Sequence, residues 1–207
     1  MGDVGLLYVG AVLFLNGLML IGVVPGKAAG ILNFFVGGMQ VVFPTLALLQ
    51  AAGDPDAVFS AAGIYLFGFT YLYVGLVQWT GHGAEGLGWF SLFVVICAVV
   101  IGLTLLVKYE DFVFGVIWLL WAVLWLLFFL LLARGKEGLQ ALTGWFTIFL
   151  SFLTGTIPAL LALIGAFPTG IVVGAVVAVL GVVSFIVAAR LGRPRTAVPQ
   201  DTARVTA

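Results

Sequence analysis

Charged side chains are scarce in this sequence. Eight basic and eight acidic residues make up only 8% of its 207 positions. Six segments hold none of them, and these are residues 4–26, 28–53, 57–84, 86–107, 112–133 and 138–189. A charge at mid-membrane costs roughly 2.5–3.5 kcal/mol and persists where an ion path or a proton relay needs it. The absence of charge from these segments therefore argues against an ion path and indicates a neutral solute.

Histidine and cysteine are almost absent as well. The chain has one histidine, His82, and one cysteine, Cys97. A single residue of each type supplies too few ligands for a Cys/His metal site, and the same shortage argues against a Ser-His-Asp hydrolase. One cysteine also leaves no intrachain disulfide. The sequence therefore predicts a protein that is not an enzyme and holds no metal or cofactor.

Long apolar segments dominate what is present, because hydrophobic residues fill 64% of the chain. A membrane-spanning helix needs about 20 apolar residues, so the first five uncharged segments hold one helix each and the long sixth segment holds two. We predict an all-α polytopic membrane protein whose single transmembrane domain covers residues 1–189. The predicted spans are residues 4–24, 28–51, 57–80, 87–107, 112–133, 140–164 and 168–189. Pro158 should kink the sixth span.

The basic residues predict the topology. One side of a seven-span chain collects Lys27, Arg134, Lys136, Arg190, Arg193, Arg195 and Arg204. Lys108 is the only basic residue on the other side. The positive-inside bias then places the N-terminus outside and the C-terminus in the cytoplasm. With six spans the basic tail would lie outside, so the charges support a seventh span. The polar, proline-containing tail, residues 190–207, is predicted to be disordered and cytoplasmic.

Short strings recur along the chain. LYVG occurs at residues 7–10 and again at 72–75, and aromatic strings open the even spans at residues 33–35, 89–91 and 145–147. This recurrence suggests a helix hairpin used three times. Three hairpins could enclose an axis, with spans 1, 3 and 5 as the inner wall. The seventh helix would pack outside them, and Gly170 and Gly174 would give it a flat contact face.

The odd spans carry one-sided sets of residues at helical spacing. The sets are Trp118, Trp121 and Trp125; Phe67, Thr70 and Tyr71; and Leu6, Val9, Leu13 and Asn16. One interpretation is that these faces line a pore. The alternative for the tryptophans is packing or lipid contact, which spacing alone favours. For Asn16 and Thr70 the alternative is a hydrogen bond between helices.

Several longer strings are characteristic. They are LLYVG (6–10) with NG (16–17), NFFVGG (33–38), LFGFTYLY (66–73), SLFV (91–94) and IWLLWAVLWL (117–126). Together they resemble the AmiS/UreI family of urea and short-chain amide channels, over residues 1–166. The resemblance implies a homo-hexamer in which each subunit has its own pore inside three helix hairpins. It places the constrictions at Phe67, Thr70, Tyr71, Trp118, Trp121, Leu124 and Trp125.

The sequence departs from the acid-gated members of that family at two places. Those channels carry a long outer loop with histidines between spans 2 and 3, whereas this chain has only residues 53–56 there, without histidine. They also carry a carboxylate in the sixth span, where this chain has Leu150 followed by Ser151, which we treat as possible additional pore lining. Both departures remove titratable groups. The seventh helix lies beyond the resemblance and fits the amidase-associated branch best.

We therefore predict a passive channel in the bacterial inner membrane for acetamide, formamide, other short-chain aliphatic amides or urea. Its expected partners are that solute, the lipid bilayer, further copies of itself and, functionally, a cytoplasmic amidase or urease. Nucleic acid is not expected. One alternative is an ion-coupled secondary transporter, which normally needs an intramembrane ion site. The other is a docking subunit without transport, in which the basic tail would bind a partner.

Overall fold

The computed structural model describes residues 2–193, and seven of its helices are long and apolar enough to cross a membrane. They are α1 (Gly2–Leu20), α2 (Gly26–Gln50), α3 (Pro55–Thr80), α4 (Glu85–Val107), α5 (Phe112–Leu132), α6 (Glu137–Leu163) and α7 (Ile171–Leu191). The prediction of seven spans is confirmed. One end of the helix bundle holds the start of α1 and the loops α2–α3, α4–α5 and α6–α7, and we call it the N-terminal end. The opposite end holds the remaining loops and the end of α7.

Two predicted boundaries differ from the structure by several residues. The first span ends at Leu20 because residues 21–24 form a turn in which Gly22 adopts a φ of 80°. The last span begins only at Ile171 because Pro168 disfavours a helical residue before it and Gly170 adopts a φ of 99°. At its far end α7 continues through Arg190 to Leu191, so the predicted tail begins later. Tail residues 194–207 lie outside the described part of the chain.

The predicted kink in α6 takes the form of a widened turn. After a 3₁₀ turn at Glu137–Leu139, an α-helix covers Gln140–Leu150, a π-helical turn covers Ser151–Thr156, and an α-helix resumes at Ile157–Leu163. Pro158 lacks the N–H that an uninterrupted α-helix would bond to the carbonyl four residues earlier. The wide turn immediately before the proline accommodates that missing bond. Such turns frequently occur at functional sites.

The first six helices form three close pairs, α2–α3, α4–α5 and α6–α1. Each pair has glycine at its crossing. A Cβ atom on Gly37, Gly102 or Gly17 would lie 2.8–3.0 Å from backbone atoms of the partner helix. Small residues allow membrane helices to approach this closely. The repeated unit therefore joins each even helix to the next odd helix, and the α6–α1 pair closes the ring.

Helix α7 packs outside this ring, against α5 and α6. Its contact face is formed by Gly174, Gly181 and Ala188, which are its buried residues. A Cβ atom on Gly174 would lie 2.7 Å from the Phe112 carbonyl oxygen. The predicted pairing of Gly174 with Gly170 is wrong, because Gly170 precedes the helix and would meet nothing within 4 Å. The contact face thus has a seven-residue spacing.

A polar contact at the N-terminal end joins the α4–α5 loop to the first turn of α3. Lys108, just beyond α4, lies 3.4 Å from Asp56 at the start of α3, and the Tyr109 hydroxyl donates to the same carboxylate. The ammonium of Lys108 donates to the Tyr109 hydroxyl at 2.8 Å, and this bond raises the pKa of Lys108. Phe59 stacks on the Tyr109 ring. Because the ion pair is exposed, it contributes little stability, but it places the α4–α5 loop beside the start of α3.

Candidate functional site

A wide cavity of about 350 Å³ occupies the N-terminal end of the helix ring. Its lining comes from α1 to α5 and from the residue before α5: Gly2, Asp3, Gly5, Leu6, Val9, Gln40, Phe43, Ala47, Phe59, Ser60, Gly63, Ile64, Phe67, Ile101, Leu105, Asp111, Phe114, Trp118 and Trp121. Gly2 and Asp3 at the start of α1 and Asp111 just before α5 are among these residues, so the cavity opens at the N-terminal end. Asp3 and Asp111 are the only charged residues among them, and Asp111 accepts a hydrogen bond from the Phe114 amide.

A narrow cavity of about 30 Å³ lies deeper in the ring. Its lining consists of Leu13, Asn16, Phe67, Thr70, Tyr71, Val74, Leu87, Ser91, Trp121, Leu124, Trp125 and Phe128. None of these residues is charged. A cavity of this size holds about one or two water molecules. Phe67 and Trp121 line both cavities, so these two side chains separate the wide cavity from the narrow one.

The separating rings belong to one aromatic cluster, formed by Phe67, Trp118, Trp121 and Trp125. The Phe67 ring lies 4.7 Å from that of Trp121, 4.9 Å from that of Trp125 and 5.6 Å from that of Trp118, each edge to face. All four side chains are buried. Edge-to-face contacts of this kind hold aromatic rings in defined orientations. The structure thus brings the tryptophan face of α5 against the aromatic face of α3.

Trp121 is held in place by the widened turn of α6. Its indole N–H donates to the Thr154 hydroxyl at 2.9 Å. That hydroxyl donates in turn to the Leu150 carbonyl at 2.6 Å. Because Thr154 uses its proton on the backbone, it presents a lone pair to the indole. The π-helical turn therefore fixes the orientation of a ring that separates the cavities.

The polar groups around the narrow cavity are all neutral. The Tyr71 hydroxyl is buried and, in the part of the chain that the structure describes, is the one enclosed side-chain polar atom without a hydrogen-bond partner. Thr70 and Ser91 donate to backbone carbonyls of their own helices and keep free acceptor lone pairs. Asn16 exchanges two hydrogen bonds with Asn33 of α2. A solute in the narrow cavity would thus meet one free hydroxyl and several acceptors.

The structure places the predicted site residues as follows. Leu6, Val9 and Trp118 line the wide cavity, and Leu13, Asn16, Thr70, Tyr71, Leu124 and Trp125 line the narrow one. Asn16 combines the two interpretations offered for it, since it bonds α2 and also lines a cavity. Leu150 and Ser151 line neither cavity. Both are fully buried, and the Ser151 hydroxyl donates to the Ile148 carbonyl.

Sequence reasoning missed lining residues from the even helices, chiefly Gln40, Phe43, Ile101 and Ser91. A signal existed for Gln40, which is an isolated amide in an apolar span. Phe128, another missed residue, continues the face of Trp118, Trp121 and Trp125 by one further turn. Within residues 2–193 no group of three or more His, Cys, Asp or Glu side chains could hold a metal ion. The arrangement suits binding of a small neutral molecule.

A family model, two relatives and a solved structure all match this chain, and all four belong to transporters or channels. Residues 1–166 match the family described as "AmiS/UreI family transporter". The chain is 53% identical over 205 residues to "Putative transporter protein AmiS2" of Rhodococcus erythropolis, covering 97% of each chain. It is 48% identical to "Putative amidate substrates transporter protein" of Mycolicibacterium smegmatis, covering 98% of this chain and 94% of that one. The crystal structure of the Helicobacter pylori urea channel matches with a TM-score of 0.70 and 33% identity, over 81% of this chain and 100% of the other.

Proposed function

Since the chain belongs to the AmiS/UreI family of membrane transporters, we propose that it is a passive channel for small neutral amides. Acetamide, formamide and other short-chain aliphatic amides are the proposed solutes, with urea as a further one of similar shape. Two relatives at about half identity support the amides first, because they are named as AmiS-type or amidate transporters. The protein is a multi-pass membrane transporter and not an enzyme.

The observation that carries the proposal is the aromatic cluster between the wide and the narrow cavity, two of whose rings line both. Urea and acetamide are flat and strongly dipolar, and removing their water costs several kcal/mol unless hydrogen bonds replace it. The faces and edges of Phe67, Trp121 and Trp125 offer contact to a flat molecule. The free Tyr71 hydroxyl offers the replacing hydrogen bond. The cluster therefore suits a planar neutral solute in shape and in polarity.

The same lining disfavours ions. The narrow cavity has no charged residue among its described lining, and the Phe67, Trp121 and Trp125 side chains carry no oxygen atom that could replace the water shell of a cation. An ion would therefore bear its full dehydration cost at the aromatic cluster. The narrow cavity also has room for only about one or two waters. Passage of an amide thus requires Phe67 or Trp121 to move aside, which would join the two cavities.

We further propose that the channel lies in the bacterial inner membrane, with the wide cavity facing outward. The described basic residues support this orientation, because Lys27, Arg134, Lys136 and Arg190 lie at the end opposite the wide cavity. Consumption of the solute by a cytoplasmic amidase or urease would maintain the gradient. By family resemblance the assembly is a homo-hexamer with one pore in each subunit.

Solute flux in proteoliposomes of the purified protein tests the proposal. Labelled acetamide should enter at a rate that rises linearly with its concentration and does not depend on a proton or sodium gradient. Protein-free liposomes give the background. Flux that requires an ion gradient would establish a coupled carrier instead, and flux at the background rate would favour a docking subunit without transport.

A further inference from the structure

Gln40 reaches the wide cavity from α2, a helix of the even set. Its side chain is only 3% exposed, and it lies among the cavity-lining residues. It extends that far because the neighbouring odd helices have glycine beside it. A Cβ atom on Gly5 of α1 would lie 3.2 Å from Gln40 Nε2, and one on Gly68 of α3 would lie 3.0 Å from the Gln40 backbone carbonyl oxygen. Gly5 therefore leaves room for this one amide, and Gly68 lets the α2 backbone approach α3 closely.

A single hydrogen bond fixes the orientation of that amide. Gln40 Nε2 donates to the Gly5 carbonyl oxygen at 2.8 Å. Since a carbonyl only accepts hydrogen bonds, the NH₂ group must face α1 and the Oε1 atom must point away from that bond. Gln40 Oε1 accepts no hydrogen bond from the described residues. It is also not among the fully enclosed polar atoms without a partner, so it keeps contact with the open space of the cavity.

An oriented acceptor of this kind takes its donor from the cavity, either a water molecule or an N–H of a solute, because a polar atom in a buried site is costly to leave without a partner. We infer that Gln40 is a specificity-determining residue, whose Oε1 accepts an N–H of the solute in the wide cavity before the solute reaches Phe67 and Trp121. The inference rests on the proposed function and adds a chemical selection to it. Solutes with an amide N–H are favoured over equally polar solutes that have none.

Formamide, N-methylformamide and N,N-dimethylformamide lose their N–H groups stepwise and serve as probes. Flux of each is measured in proteoliposomes for the unmodified protein and for Gln40→Met, which keeps the side-chain length but removes both the donor and the acceptor. Formamide flux should fall roughly 3- to 10-fold, in keeping with one neutral hydrogen bond. Flux of N,N-dimethylformamide should not change. The flux of each probe through the variant is divided by its flux through the unmodified protein, so that the difference in size between the probes does not affect the comparison.

The chain offers a matched control in Gln140→Met. Gln140 also donates its Nε2 to a carbonyl of α1, that of Leu20 at 3.0 Å, but it lines neither cavity. Its variant should leave the flux of all three probes as it was. If Gln40→Met does not assemble, Gln40→Asn keeps an amide one methylene shorter and should also lower formamide flux relative to N,N-dimethylformamide.

The inference is overturned if an assembled Gln40 variant lowers all three fluxes equally or changes none of them. That result would leave the proposed channel intact, because the unmodified protein would still conduct formamide. Absence of formamide flux in the unmodified protein would instead refute the proposed function itself.

Discussion

Tryptophan occupies two different environments in this protein. Trp79 and Trp89 lie near helix ends and are about half exposed, as expected of residues at the membrane interface. Trp121 and Trp125 lie near the middle of α5 and are buried, at 3% and 5% exposure. An indole in the middle of a membrane needs a partner for its N–H, and Thr154 supplies one for Trp121. This pairing distinguishes a positioned ring from a space-filling one.

Truncation of the buried Trp121 or Trp125 ring should change selectivity more than folding. In a packed core, Trp125→Ala would cost about 3–5 kcal/mol. Beside a cavity the cost should be smaller, because water fills the space. We expect Trp121→Ala and Trp125→Ala to assemble and to discriminate less between urea, acetamide and bulkier amides, as measured by flux ratios. Trp89→Ala is the control, since Trp89 packs on Phe129 and lines neither cavity. Unchanged discrimination in both assembled variants would show that these rings do not line the path.

At the residue scale the sequence indicated the cavity-lining residues of the odd helices but few of those of the even helices. Helical spacing places residues on one face of one helix, and so the lining of α1, α3 and α5 could be read from the chain. The position of Gln40 in the cavity lining depends on a second helix, because Gly5 of α1 leaves room for its side chain. A contact between residues of two helices is not contained in the spacing of residues along one helix. Leu150 and Ser151 followed from alignment to a family position, which does not determine where a side chain packs.

Among the elements, α6 shows what a proline signal can and cannot predict. Pro158 predicts an interruption, because its missing N–H is a local property. The form of the interruption, a π-helical turn over Ser151–Thr156, depends on packing against α1, where a Cβ atom on Gly10 would lie 2.7 Å from the Thr156 backbone nitrogen. The turn brings Thr154 to the Trp121 indole. A backbone irregularity in one helix thereby positions a side chain of another.

Thr154→Val tests this coupling, because valine has nearly the same shape but cannot accept the indole hydrogen bond. The buried Trp121 N–H would lose its partner at a cost of about 1–3 kcal/mol. We expect the ring to leave its position and the ratio of urea to acetamide flux to change by roughly 2- to 5-fold, in the same direction as in Trp121→Ala.

The matched control for that test is Thr147→Val. Thr147 is an equally buried threonine of α6 that bonds its own helix and lines neither cavity. It should leave the flux ratio unchanged. If both variants behave alike, the hydrogen bond from Trp121 does not set selectivity.

For the molecule as a whole, the charge pattern predicted more than any single motif did. The number of spans follows from the spacing of charges along the chain, which is a property of the sequence alone. Which helices form the closest pairs does not follow from it, since hairpins of an odd helix with the next even one would satisfy the same repeat. Glycines at the α2–α3, α4–α5 and α6–α1 crossings decide the pairing. Those contacts are long-range and appear only in the folded ring.

The distribution of titratable groups predicts flux that hardly depends on pH. Asp3 and Asp111 are the charged residues of the cavity lining, and His82 is exposed in the α3–α4 loop, away from both cavities. Histidine is the side chain that ordinarily titrates near neutral pH. We therefore expect acetamide flux in proteoliposomes to stay nearly constant between about pH 5 and 7.5. A several-fold rise at acid pH would reveal a gating group, with Glu110 and Asp111 the first residues to substitute.

Orientation in the membrane is the final property of the whole molecule that can be tested. Lys27, Arg134, Lys136 and Arg190 lie at the end opposite the wide cavity, whereas Lys108 at the other end is paired with Asp56. The positive-inside bias then predicts that the wide cavity faces outward. A phosphatase fused after Gly165 should be active outside the cell, and a fluorescent protein fused after Ala207 should fold in the cytoplasm. A fusion after Gly135 should report the same side as the one after Ala207. Signals from one side for the Gly165 and Ala207 fusions would contradict a seventh crossing, because α7 is the one span that the described residues place between them.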